Sequence, residues 1–225
     1  MKFQSTHLLY LLSGLLALLL NGCATVEKGT PETGTTQPTA AQNAATAEQA
    51  YRQGLASYKK GDYPAAVQGF RQAAELGHVK AQYNLGLVYV QGEGVAKDYR
   101  QGINWFRQAA DQNFAPAQLN VGIAYAQGLG VEKNPQQALA WYQKAAKQGF
   151  APAQYNLGTM LYQGQGVTKD PVMAYVWLSL AAAQGDQDAQ IAQRKVAKSL
   201  NAEQKARAQQ LLPDYSRQYG KPAQA

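Results

Sequence analysis

The sequence predicts an all-α protein, a solenoid of stacked helix pairs closed by a C-terminal capping helix. Two observations carry that fold class. The centre of the chain repeats itself every 36 residues, and periods of 20–50 residues are the mark of stacked supersecondary units. Within each period two stripes of apolar residues recur at helical spacing, divided by a glycine stop and an Asp/Asn start. A third observation agrees. The segments flanking the repeats are atypical and more polar, as the ends of a stack must be for solubility.

In register, one unit opens Ala81-Gln82-Tyr83-Asn84-Leu85-Gly86, the next Ala117-Gln118-Leu119-Asn120-Val121-Gly122, and the third Ala153-Gln154-Tyr155-Asn156-Leu157-Gly158. The first helix of a unit gathers Ala81, Leu85 and Tyr89, with Val88 beside them, on one face. It is predicted to stop at Gly92, Gly128 or Gly164, where glycine takes the left-handed conformation that ends a helix. Each unit continues through Gly-x-Gly-Val (Gly92–Val95, Gly128–Val131, Gly164–Val167) to Asp98, Asn134 or Asp170. Those residues are predicted N-caps, with Pro135 and Pro171 at the first helical position, where a missing N–H costs nothing. The second helix joins Gly102, Trp105-Phe106 and Ala109 at helical spacing, and the later copies carry Trp141-Tyr142 and Trp177-Leu178.

The pattern Ala-x-x-x-Leu-Gly-x-x-Tyr-x-x-Gly-x-Gly-Val-x-x-Asp, followed by Ala-x-x-Trp-(Phe/Tyr)-x-x-Ala-Ala, resembles the Sel-one-like repeat, a relative of the tetratricopeptide repeat. Three copies cover residues 81–116, 117–152 and 153–188. Departures are few: Gly102 stands for alanine, Leu119 and Leu161 for tyrosine, Leu178 for the second aromatic, and Asn113 for the closing glycine. Ahead of them, residues 47–80 resemble a shorter, plain tetratricopeptide unit. Behind them, residues 189–219 are expected to cap the stack. There Asp186–Ser199 reads as a further first-type helix, and a last helix starts at Asn201 with Gln204 completing a capping box. Pro213 is expected to kink or end that helix, leaving 220–225 as a tail.

The resemblance implies a right-handed solenoid whose first-type helices line a concave, partner-binding groove. It also implies that the asparagine before each Leu-Gly or Val-Gly pair (Asn84, Asn120 and Asn156) bonds the backbone of an extended peptide. Selectivity then falls to positions that vary between copies: Tyr83/Leu119/Tyr155, Leu87/Ile123/Thr159 and Val90/Ala126/Tyr162, with Gln91, Gln127 and Gln163 at the rim. The competing reading has these side chains merely packing between helices.

The first 22 residues read as an address. Lys2 precedes an apolar run, Leu8–Leu20, too short to cross ~30 Å of hydrocarbon but right for a signal-peptide core. Leu20-Asn21-Gly22-Cys23 resembles a bacterial lipobox, which implies acylation of Cys23 and stable anchorage through more than one acyl chain. Ala24 behind it is not aspartate, which under the lipoprotein sorting rule implies the outer membrane, facing the periplasm. Residues 23–46, rich in Thr, Ala, Gln, Gly and Pro, are expected to be a flexible tether.

The formal charge of +7 is spread along the chain, with twelve basic and eight acidic residues between 47 and 185. That excess describes a solvated surface rather than the focused basic patch of a nucleic-acid binder. With one cysteine, and with His78 the only histidine beyond the leader, neither a metal centre nor a Ser/His/Asp machine is expected. The Gly-x-Gly-Val loops follow helices and lack the basic Lys-Ser/Thr of a phosphate loop, so no nucleotide or other cofactor is expected. The sequence therefore points away from an enzyme and towards an envelope-tethered adaptor, binding a peptide segment or another envelope protein. Binding of cell-wall polysaccharide is the alternative, suggested by 14 tyrosines that could stack on sugar rings.

Overall fold

The computed structural model describes residues 39–221. Cys23, the leader and most of the expected tether therefore lie outside the described residues, as do residues 222–225. All regular structure among the described residues is α-helical. The helices are α1 (Ala40–Lys59), α2 (Tyr63–Glu75), α3 (Val79–Gln91), α4 (Tyr99–Asp111), α5 (Ala115–Gln127), α6 (Pro135–Lys147), α7 (Ala151–Gln163), α8 (Pro171–Ala183), α9 (Gln187–Ser199) and α10 (Ala202–Tyr219). They fall into two compact units, Met1–Ala96 and Lys97–Ala225.

Local chemistry sets the helix ends as expected. Gly92, Gly128 and Gly164 cap α3, α5 and α7 with φ of 80°, 78° and 66°. The side chains of Asp98, Asn134 and Asp170 accept hydrogen bonds from the backbone N–H of Gln101, Gln137 and Met173 at 3.0, 3.0 and 2.9 Å. Asn113, where the other units have glycine, also takes a positive φ of 65°, a conformation asparagine tolerates better than most residues.

Two expectations are corrected. The tether does not run to residue 46, because α1 begins at Ala40. Thr39 and Gln42 form a capping box: the Thr39 N–H donates to Gln42 Oε1 at 2.7 Å, and the Gln42 N–H donates to Thr39 Oγ1 at 3.3 Å. A lack of large apolar residues suggested coil, but alanine is the strongest helix former, and Ala47 and Ala50 are buried. Of the two effects expected of Pro213, a kink or an end, the second does not occur: α10 continues to Tyr219, the bound expected for the capping segment. Packing beyond the proline holds the last turns. Tyr215 and Tyr219 lie against Trp177 at ring-centroid distances of 5.4 and 5.5 Å, and the Tyr219 carbonyl accepts from Gln154 Nε2 at 2.8 Å.

Helix α8 is rewritten to receive α10. Where α4 carries Gln101, Asn104 and Gln108, and α6 carries Gln137, Ala140 and Lys144, α8 presents Met173, Val176 and Leu180. With Trp177 these fall at i, i+3, i+4 and i+7, one helix face, and Leu212, Tyr215 and Tyr219 of α10 pack into the same apolar clusters.

A buried glutamine joins successive helix pairs. Gln82, Gln118 and Gln154 each donate through Nε2 to the carbonyl eight residues earlier (Ala74, Ala110 and Ala146) at 3.2, 3.1 and 3.1 Å. These carbonyls lie in the last turn of second-type helices, where the Gly77, Asn113 and Gly149 N–H groups also donate to them at 3.0 Å, so the glutamine adds a second donor to each. In the second unit the Oε1 atoms of Gln118 and Gln154 accept from Gln148 and Gln184 at 2.7 and 3.0 Å.

Candidate functional site

The residues expected to line a groove do not share one environment. Asn84 lies in the first unit and is 6% exposed. Its Nδ2 donates to the Tyr51 hydroxyl at 3.4 Å, the Tyr51 ring stacks on His78 at 4.4 Å, and His78 Nε2 meets Glu48 Oε2 at 3.0 Å. Asn84 is thus a link in an internal network. Asn120, in the second unit, is 3% exposed, and its Nδ2 has no hydrogen-bond partner. Leu87, Leu119 and Ile123 are buried as well. Tyr83 and Tyr155 are half-buried and engaged with other groups. No row of free amides runs through Asn84 and Asn120, because both side chains are buried. The remaining three, Asn156, Thr159 and Tyr162, line open clefts in the second unit.

Glu48 supplies a pH test of the first unit's network. Burial pushes its carboxyl up, but hydrogen bonds and charge from Arg52 and His78 outweigh this and hold it below the ordinary range. A carboxyl lowered in the folded state stabilises above its unfolded pKa, and that contribution is lost as pH falls through the folded value. Its side chain is 45% exposed, so screening limits the contribution to about 0.5 kcal/mol. Glu48→Gln is expected to lower the melting temperature slightly at pH 7 and hardly at all at pH 3. A gap of the same size at both pH values would show that the ion pairs contribute nothing.

In the second unit one cleft, of about 500 Å³, lies between the C-terminal half of α5, the start of α6 and the exposed side of α7. Gln127, Asn156, Thr159 and Gln163 line it, Lys133 stands at its edge, and the buried Tyr142 and Met160 form part of the wall. A second cleft of about 540 Å³ is its repeat-equivalent one unit on. It substitutes Tyr162, Gln163, Lys169, Pro171 and Ser199 for Ala126, Gln127, Lys133, Pro135 and Gln163. Gln163 belongs to both, so the two clefts adjoin at this residue, and together they are called the furrow. A third hollow shares Lys133 and adds Arg107, Tyr125 and Glu132.

The two equivalent clefts thus offer a series of amides, with one lysine each and no carboxylate in the lining among the described residues. Such a surface binds by hydrogen bonding and charge. Sequence reading placed Gln127 and Gln163 at the rim but missed the two lysines. Their signal was legible in the repeat, since Lys97, Lys133 and Lys169 recur immediately before the N-caps.

The fold is that of a helical-repeat protein, ten helices in successive pairs among the described residues. The sequence profile of the Sel1 repeat matches residues 38–78, 79–114, 115–150 and 151–186, and the chain belongs to the Sel1 repeat family. There are accordingly four such repeats, and the first, expected to be a plain tetratricopeptide unit, is matched by the same profile as the others. Proteins of this family bind other proteins and are typically non-enzymatic scaffolds.

Among solved structures, a Sel1 repeat protein from Oxalobacter formigenes is similar at 32% identity and a TM-score of 0.63, covering 75% of this chain and 72% of that one. A protective antigen present in uropathogenic Escherichia coli strains is similar at 29% identity and a TM-score of 0.55, covering 80% and 49%. DAP3-binding cell death enhancer 1 of Rattus norvegicus and of Mus musculus are each 47% identical over 45 residues, 20% of this chain. The chain spans only 9% of the length of those curated relatives.

Proposed function

We propose that the chain is an adaptor held at the bacterial cell envelope, which takes an extended segment of another envelope protein into the furrow of its second unit. The observation that carries this reading is the pair of repeat-equivalent clefts walled by amides. An amide donates and accepts at once, as a peptide bond does, and a repeating wall suits a repeating backbone. The polysaccharide alternative needs exposed ring faces, whereas Tyr89, Tyr142 and Trp177 are buried. The anchor in this reading is Cys23, acylated within its lipobox, with the folded part facing the periplasm from the outer membrane.

The test is crosslinking and capture from intact envelopes, comparing the wild type with Gln127→Ala/Asn156→Ala/Gln163→Ala. A protein partner captured by the wild type and lost, by tenfold or more, from the folded variant is the expected result. Capture unchanged in the variant would move the site elsewhere, and capture of glycan without protein would overturn the adaptor. Cys23→Ser is expected to shift the protein from the membrane fraction to the soluble periplasmic fraction, and membrane retention of that variant would overturn the anchor.

A further inference from the structure

From the charges along the furrow we infer that the segment it takes is acidic, with carboxylates read by Lys133 and Lys169. This rests on the adaptor reading above and names the chemistry of its partner. The two lysines occupy the same position in successive repeats, each exposed at the edge of one of the two equivalent clefts. The Lys169 stem packs across the end of α7 so closely that a Cβ on Gly164 would fall 2.5 Å from its Cγ. The Lys133 stem likewise covers Gly128, where an added Cβ would meet its Cβ at 3.4 Å.

The stems lie against the C-terminal ends of α5 and α7, where a cation is itself mildly favourable. That accounts for the stems, and among the described residues no salt bridge engages either lysine. Arg107, in the adjoining hollow, adds a third cation against the single carboxylate of Glu132. A ligand that crosses both clefts meets amides along its backbone and a positive charge once per repeat. An extended polypeptide with carboxylates spaced to reach Lys133 and Lys169 satisfies both. Neutral or basic segments leave those charges uncompensated, and such electrostatic complementarity discriminates between partners as well as speeding encounter.

The experiment uses the full lipidated chain in detergent and a fluorescent peptide of repeated Gly-Glu-Ser-Glu as probe, with its Glu→Gln counterpart as control. Fluorescence anisotropy is expected to show binding of the acidic probe at least tenfold tighter than of the neutral one. Lys133→Gln/Lys169→Gln should reduce that binding about tenfold, with an unchanged circular dichroism spectrum, and the loss should shrink as salt rises. Equal binding of the two probes, or binding of the acidic probe untouched in the lysine variant, would overturn the inference. So would alginate, an acidic polysaccharide, binding more tightly than the peptide and with the same dependence on the lysines. A partner captured from envelopes through Gln127, Asn156 and Gln163 but indifferent to the lysine changes would overturn the acidic reading alone and leave the adaptor standing.

Discussion

Gly130→Ala is expected to destabilise the protein by about 2–5 kcal/mol, against about 1–2 kcal/mol for Gly185→Ala. Both glycines have positive φ, 64° and 92°, so both substitutions carry the left-handed penalty of an L side chain. They differ in what the new methyl group meets. At Gly185 there is nothing within 4 Å, whereas at Gly130 a Cβ would lie 2.6–2.7 Å from the carbonyl carbon and oxygen of Tyr99 and the nitrogen of Arg100. Those are backbone atoms at the start of α4, held by the Asp98 cap, and they cannot swing aside as a side-chain tip could. The second glycine of Gly-x-Gly-Val is therefore a contact point between one repeat and the second-type helix of the repeat before it. Gly166 plays the same part against Pro135, with an added Cβ only 2.3 Å from the proline Cβ. For a chain of this size the Gly130→Ala change corresponds to a fall in melting temperature on the order of 10 °C. Equal losses for the two variants would mean that this close approach carries no energy.

Gln154→Leu is expected to cost about 2–4 kcal/mol and to loosen α10 specifically. Gln154 is completely buried. Its Nε2 donates to the carbonyls of Ala146 and Tyr219 at 3.1 and 2.8 Å, and its Oε1 accepts from Gln184 at 3.0 Å. Leucine fits the volume but takes the side-chain donor from the Tyr219 carbonyl and the acceptor from Gln184. The Ala146 carbonyl keeps the Gly149 N–H and Gln184 Nε2 keeps the Gly149 carbonyl, each at 3.0 Å. A buried group left unsatisfied costs more than the hydrogen bond itself contributes. Gln118→Leu removes the equivalent bonds to Ala110 and Gln148 without any to α10. The two variants should therefore lose similar stability and differ in one readout. In a Trp105→Phe/Trp141→Phe background, acrylamide should quench Trp177 more readily in Gln154→Leu, as Tyr215 and Tyr219 lift away. It should quench Trp177 no more readily in Gln118→Leu than in the parent. Unchanged quenching in both would show that the rings hold α10 without the glutamine.

Much of this architecture was legible because it is local and repeated. The glycine stops, the Asp/Asn starts and the Ala81/Leu85/Tyr89 stripe each act within a few residues, and three copies reinforce the reading. The candidate site was legible only in part. Asn84, Asn120 and Asn156 are equivalent in sequence, yet Asn84 bonds Tyr51, Asn120 is enclosed, and Asn156 faces a cleft. Which of these a given asparagine does depends on what packs against its helix, and that is not written near it in the chain. The buried glutamines were visible in every copy, but their partners sit on the preceding helix pair, so their role emerged only from the packing.

By itself, then, the sequence determined the helix-pair period, the caps and the family, because short-range sterics and hydrogen bonding decide those. The tertiary structure decided which faces stay open. It carried α10 past Pro213, because burial of Tyr215 and Tyr219 on Trp177 outweighs one lost backbone hydrogen bond. The start of α1 at Ala40 is local chemistry instead, exposed alanines of high helix propensity behind the Thr39–Gln42 capping box. The tertiary structure also shifted the candidate site from a row of asparagines to the furrow edged by Lys133 and Lys169, because close packing closes some helix faces and leaves solvent the clefts between others.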